Sequence, residues 1–147
     1  MIVVNPEDHR TIYLNRGDET SEFFRLAFYF PIWNYEEQKE EKYLFQLEDK
    51  ISFIVKRKKG YTKEEVFRVE KTLREMGEVE PTYYPEIQLT SEDTKKFDLK
   101  DKSVTYWFDI VLNDTTTILG FMIDDDDKIG ASKIVVFPDG EEIEIDG

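Results

Sequence analysis

The sequence contains no cysteine and a single histidine, His9. Without thiols there is no disulfide, no thiolate nucleophile and no Cys-ligated zinc. With one imidazole there is no two-His metal site and little from which to build a Ser-His-Asp triad. Glycine is sparse and scattered, so no Gly-rich phosphate loop is present. No apolar run approaches the ~20 residues of a membrane span. The opening Met1-Ile2-Val3-Val4-Asn5-Pro6 is too short and uncharged for a secretory signal. Positive charge is also scarce, with 20 Lys and Arg against 33 Asp and Glu and a formal net charge of −13. Such a field repels phosphate backbones and anionic lipid surfaces. Neither nucleic acid nor a membrane is expected as a partner, and the protein is expected to be soluble and made in the cytosol.

What remains is one domain's worth of chain, residues 1–147, with enough length to bury a core without staples. Aromatic residues make up 14% of it, more than a disordered chain would carry, and they suit half-buried pleated surfaces. The periodicity agrees. Thr11 to Asn15 reads as a short strand followed by a turn at Arg16-Gly17-Asp18. Glu22 to Phe30 reads as a long strand, with Phe24, Leu26, Phe28 and Phe30 on one face. Pro31 is expected to end it, and Trp33 to Lys42, rich in Glu and Lys, reads as a loop. Tyr43 to Leu47 and Ile51 to Lys56 read as strands.

Residues 63–76 fit both a helix and a strand, and strand is preferred over 65–72 because the neighbours are β. Tyr83 to Leu89 reads as an edge strand or strand start, since it contains Pro85. Thr90 or Ser91 then caps one helical turn that ends near Phe97 to Leu99. Val104 to Leu112 is a second long strand, with Tyr106, Phe108, Ile110 and Leu112 on one face. Asn113-Asp114 is a hairpin turn and Thr115 to Met122 pairs back. Lys133 to Phe137 is a last buried strand, and Glu141 to Ile145 is a candidate terminal one.

About eight short strands with regularly spaced turns define the expected fold as all-β: an Ig-like antiparallel β-sandwich with one short helical turn. The expected core is Ile12, Leu14, Phe24, Leu26, Phe28, Ile51, Phe53, Val55, Ile87, Leu89, Phe108, Ile110, Ile118, Ile134 and Val136.

Each chemistry-bearing pattern has a plainer reading beside it. Arg16-Gly17-Asp18 splays a guanidinium and a carboxylate on a turn, but Gly-Asp is ordinary turn chemistry. The run Asp124-Asp125-Asp126-Asp127 offers oxygens to a hard cation, yet Lys128 to Ser132 does not continue a calcium loop, so a solvated, self-repelling loop is preferred. Carboxylates are numerous enough for a glycosidase pair, whose spacing and raised pKa no sequence displays. Lys56 to Lys59 reads as a solvated loop tip, and His9 as a surface side chain. Trp33, Trp107, Tyr83 and Tyr84, with Tyr106, could together stack against sugar rings. For Trp107, on the strand face opposite Tyr106, packing in the core is preferred over display to a partner. No catalytic residue, cofactor or metal site is assigned.

One arrangement of segments is familiar. It runs from the turn at Arg16-Gly17-Asp18 into an aromatic strand, then through Leu47-Glu48-Asp49-Lys50-Ile51-Ser52-Phe53-Ile54-Val55-Lys56 and Val66-Phe67-Arg68-Val69-Glu70-Lys71. Ile87-Gln88-Leu89-Thr90-Ser91-Glu92-Asp93-Thr94 follows, then Tyr106-Trp107-Phe108-Asp109-Ile110 and Thr117-Ile118-Leu119-Gly120. Over about residues 8–137 this order resembles the small β-sandwich proteins of tailed phages and prophages of Gram-positive bacteria, such as the N-terminal domain of the phage upper baseplate protein. The resemblance implies a virion structural or assembly role in a tail or baseplate. It implies contacts with other tail proteins, several copies per assembly, and passage from host cytoplasm to virion. It carries no catalytic residue across. The chain departs from the pattern in lacking a helical stalk or receptor-binding head after the sandwich, in the acidic insert Tyr35 to Glu41, and in Asp101-Lys102-Ser103 where a glycine is expected. The alternative expectation is a carbohydrate-binding sandwich module using exposed Trp and Tyr. A third is an enzyme with two carboxylates in a cleft.

Overall fold

The computed structural model describes residues 2–5, 7, 11–20, 26–58, 64–99, 102–119 and 132–139. Within them the chain is all-β, with largely antiparallel sheets and one short helix. The strands are β1 (Val3–Val4), β2 (Ile12–Asn15), β3 (Leu26–Ala27), β4 (Pro31–Asn34), β5 (Lys39–Lys42), β6 (Lys50–Lys56), β7 (Glu65–Thr72) and β8 (Glu86–Ile87). Helix α1 (Ser91–Thr94) follows, then β9 (Val104–Leu112), β10 (Thr116–Leu119) and β11 (Lys133–Phe137).

Seven strands form one sheet in the order β1-β2-β11-β9-β6-β7, with β10 also on β9. The long strand β9 organises it. One edge pairs with β6 over six residues, and the other is shared between β11 at Val104 to Trp107 and β10 at Ile110 to Leu112. All pairings are antiparallel except β11 with β2, which run parallel. Two small sheets complete the fold, β3 with β8 and β4 with β5.

The core lies against one face of the large sheet. Alternation puts Ile51, Phe53 and Val55 of β6 on that face with Tyr106, Phe108, Ile110 and Leu112 of β9, and Ile12, Leu14, Ile134 and Val136 extend it. Leu26, Phe28, Phe45, Ile87, Leu89 and Phe97 from the small sheets and the helical turn are buried in the same cluster. Every expected core residue among those described is buried, except Ile118, which is half-buried; Phe24 lies outside the described residues.

The helical turn starts as the sequence indicates. The Thr90 hydroxyl accepts from the Asp93 N–H at 3.1 Å and the Asp93 carboxylate accepts from the Thr90 N–H at 2.9 Å, a reciprocal cap. The helix proper ends at Thr94, and a turn carries the chain to Phe97. At the β9–β10 turn Asn113 and Asp114 both adopt positive φ, as a tight hairpin requires.

Several expectations are corrected. Residues 33–42, read as a loop, form the β4–β5 hairpin, and Pro31 opens β4 instead of closing the preceding strand. A two-stranded ribbon with both faces in solvent has no core to impose alternation, and proline is tolerated as a first strand residue. Tyr43 to Leu47 is reduced to one bridge, Phe45 with Thr82, and Tyr83 to Leu89 to the two residues of β8. The strand expected over 22–30 is present only as β3, with 21–25 outside the described residues. His9, the Asp124 to Asp127 run and the segment 141–145 also lie outside them.

Candidate interaction surface

The most distinctive surface grows from the ribbon that carries β4 and β5. At its base alternate rings turn inward. Phe28 packs edge-on to Phe45 at 5.6 Å, Tyr43 edge-on to Phe45 at 5.0 Å, and Phe30 lies 5.8 Å from Tyr43. Such contacts are favoured by the ring quadrupoles beyond their buried area. The Tyr43 N–H donates to the Phe30 carbonyl at 2.9 Å, which continues the ladder below β4 and β5.

The base is joined to the large sheet through Asp49. Its carboxylate accepts from the Tyr43 hydroxyl and the Gln46 N–H, both at 2.8 Å, and from Asn113 Nδ2 at 2.9 Å. Burial works against the charge, but the bonds from Asn113, Gln46 and Tyr43 outweigh it and hold the Asp49 pKa below the ordinary aspartate value. Burial, with the neighbouring carboxylate, raises the Tyr43 phenol.

Above the base the hairpin stands in solvent. Its tip is shaped by Asn34, whose Oδ1 accepts from the N–H groups of Glu36 at 3.0 Å and Glu37 at 3.1 Å. Pairing of Pro31 with Lys42 and of Trp33 with Glu40 puts these four residues on one face of the ribbon, and Ile32 and Glu41 on the other. Lys42 continues that face into two rings below. Its Nζ donates to the Tyr84 hydroxyl at 2.6 Å and lies 5.0 Å from the Tyr84 ring centre and 5.5 Å from that of Tyr29. The bond to Tyr84 raises the Lys42 pKa. Tyr29 and Tyr84 meet edge-on at 6.4 Å. Trp33 is 51% exposed, Tyr84 50% and Tyr35, at the tip, 79%. Large apolar groups left in water without a core role are the informative kind of exposure.

Three of the five aromatic residues marked in the sequence therefore lie exposed, Trp33 and Tyr84 on one aromatic row and Tyr83 beside Tyr84, while Tyr106 is buried in the core. Trp107 is separate. It is half-buried on the outer face of the large sheet, between Lys56 and Lys133 in register, outside the core cluster in which it was expected. Lys56 and Asp109 form an ion pair at 2.6 Å on that same face. Tyr29 and Lys42 were not marked in the sequence. Tyr29 alternates with the inward Phe28 and Phe30, which is the signal that would have found it.

The turn at Arg16-Gly17-Asp18 has a structural use. The Asp18 carboxylate accepts from the Asn15 N–H at 3.0 Å, and Arg16 donates to the carbonyls of Phe97 at 3.0 Å and Lys95 at 2.7 Å. An open cleft of about 380 Å³ lies there, lined by Arg16, Lys95, Phe97, Asp98, Pro138 and Asp139. Comparison of the chain with known protein families, with characterised proteins and with solved structures finds no match.

Proposed function

We propose that this chain is a structural or assembly protein of a phage or prophage tail or baseplate. In this reading it is non-enzymatic and acts through protein–protein contacts, in several copies, first in the host cytoplasm and then in the virion. The observation that carries the reading is the projecting β4–β5 hairpin, whose Trp33, Tyr35 and Ile32 are exposed and contribute to no core. Aromatic side chains of this kind are enriched at the centres of protein interfaces. The order of strands and turns that resembles the upper-baseplate domains supports the same reading.

We further propose an Ig-like sandwich as the finer description of the fold. In support, the buried Tyr106 hydroxyl donates to the Asp98 carbonyl at 2.6 Å and accepts from the Asp98 N–H at 2.8 Å, eight residues upstream. That tie is similar to the tyrosine corner of such sandwiches.

The test mixes the purified protein with separately purified tail and baseplate proteins encoded beside it, followed by size-exclusion chromatography. Co-migration that is lost in Trp33→Ala supports the reading, and absence of co-migration with every component overturns it. The row formed by Trp33, Lys42, Tyr29 and Tyr84 favours one second reading, a carbohydrate-binding module. Binding to cell-wall glycans on an array, abolished by Trp33→Ala, would support that alternative, and an array without signal removes it.

A further inference from the structure

The large sheet ends at β7, and among the described residues no strand pairs with its outer side. Which backbone groups point outward follows from the ladder. The Leu73 N–H donates to the Asp49 carbonyl at 3.1 Å, and the Asn113 N–H donates to the Lys50 carbonyl on the opposite side of β6. Residues 67, 69 and 71 therefore face β6, opposite Val55, Phe53 and Ile51. Residues 68, 70 and 72 aim their N–H and C=O away from the sheet. The Thr72 N–H is already taken by the Glu75 carboxylate at 3.1 Å. Arg68 and Glu70 are left presenting both a donor and an acceptor on a regular, proline-free edge, the kind of edge that templates pairing with another strand.

We propose that this edge pairs with the same edge of a second copy, antiparallel and across a two-fold axis at Val69. The charges select that register. With the axis at Arg68, two guanidinium groups stand directly opposite each other, and with the axis at Glu70, two carboxylates do. Like charges directly opposed on a ladder are destabilising. With the axis at Val69, Arg68 of each copy faces Glu70 of the other, the outward backbone groups of the two residues meet, and the strands exchange four hydrogen bonds. Val69 then meets its own counterpart on the inner face. Within one chain Arg68 already bridges Glu65 and Glu70 on the outer face, so its guanidinium is held where the second copy's Glu70 would arrive. The contact is isologous, as closed dimers require.

The inference rests on the sheet edge and not on the tail reading. Sedimentation velocity of the full chain over micromolar to several-hundred-micromolar concentrations tests it. Concentration-dependent dimers are expected. Arg68→Glu and Glu70→Arg should each weaken association at least tenfold, and the double variant, with the charges exchanged, should restore it. Far-UV circular dichroism of each variant separates lost pairing from lost folding. A wild-type protein that stays monomeric throughout overturns the proposal, as do folded single variants that dimerise unchanged or a folded double variant that does not recover. A monomer that still co-migrates with a tail component would refute the pairing and leave the tail reading standing.

Discussion

Replacing Tyr106 by Phe isolates a single hydroxyl. The ring is 1% exposed and lies tilted against Phe97 at 5.0 Å, and both features survive the substitution. What disappears is an oxygen that gives one hydrogen bond to the Asp98 carbonyl and takes one from the Asp98 N–H. A protein hydrogen bond contributes a net ~0.5–1.5 kcal/mol, which brackets the loss of two at ~1–3 kcal/mol. Asp98 is an exposed residue, so water can reach its peptide groups and the upper limit is not expected. The working value is about 2 kcal/mol, equivalent to about 6 °C in Tm for a domain of this length. Urea unfolding followed by tryptophan fluorescence is the assay, with the slope unchanged and only the midpoint moved. A Tyr106→Phe protein within about 0.5 kcal/mol of wild type would refute the assignment of this pair of bonds as the tie that holds the 95–98 turn.

Phe45→Ala should be more severe. The side chain is fully buried between Phe28 and Tyr43, and its removal should cost about 3–5 kcal/mol in the same urea assay. Trp33→Ala should leave stability within about 0.5 kcal/mol of wild type while removing partner binding in the co-migration experiment; equal loss of both would mean that the hairpin is part of the core after all. For Asp49 the folded pKa lies below the ordinary value of 3.8. Its stabilisation is therefore fully present above that value and is lost as pH falls through the folded pKa. Asp49→Asn has one carbonyl oxygen for three donors, so it should lower stability by about 2 kcal/mol at neutral pH. The gap to wild type should narrow below pH 4 in pH-dependent urea titrations, and a pH-independent gap would show that charge is not what the site uses.

Residues facing a core were legible in the sequence, and residues facing water were not. Ile51, Phe53 and Val55, and Tyr106, Phe108 and Ile110, alternate because they face the core cluster, while Ser52, Ile54, Trp107 and Asp109 between them face the other side of the sheet. Thr90 announces the helical turn because capping is local chemistry. The β4–β5 hairpin escaped because Lys39 to Lys42 carries only charge and, among the described residues, no layer covers either side. The signal that was available, Asn34 poised to receive the N–H groups of Glu36 and Glu37, is a turn signal without a hydrophobic pattern behind it. For the interaction surface, the sequence marked Trp33, Tyr83 and Tyr84 by residue type. It could not show that Lys42 joins Tyr29 to Tyr84, because that contact spans forty-two residues and depends on Phe45 pairing with Thr82.

The packing and hydrogen bonds at its base explain why the hairpin can project and still be aimed. A ribbon held only by its own ladder would swing about its base, since two strands alone are marginally stable in water. Here the base is fixed at two levels. The rings of Phe28, Tyr43 and Phe45 pack in or against the core, and Asp49 binds the Tyr43 hydroxyl on one side and Asn113 on the other. Asn113 in turn accepts the Lys50 N–H at 2.8 Å and donates its own N–H to the Lys50 carbonyl at 2.9 Å, so the β9–β10 turn is held against the start of β6. One carboxylate thus links the ribbon, the loop before β6 and the β9–β10 turn. Loss of Asp49 should therefore loosen the aim of Trp33 without touching Trp33 itself. Asp49→Asn is expected to weaken partner binding through a slower association rate, and an unchanged association rate would show that the hairpin's orientation does not depend on this node.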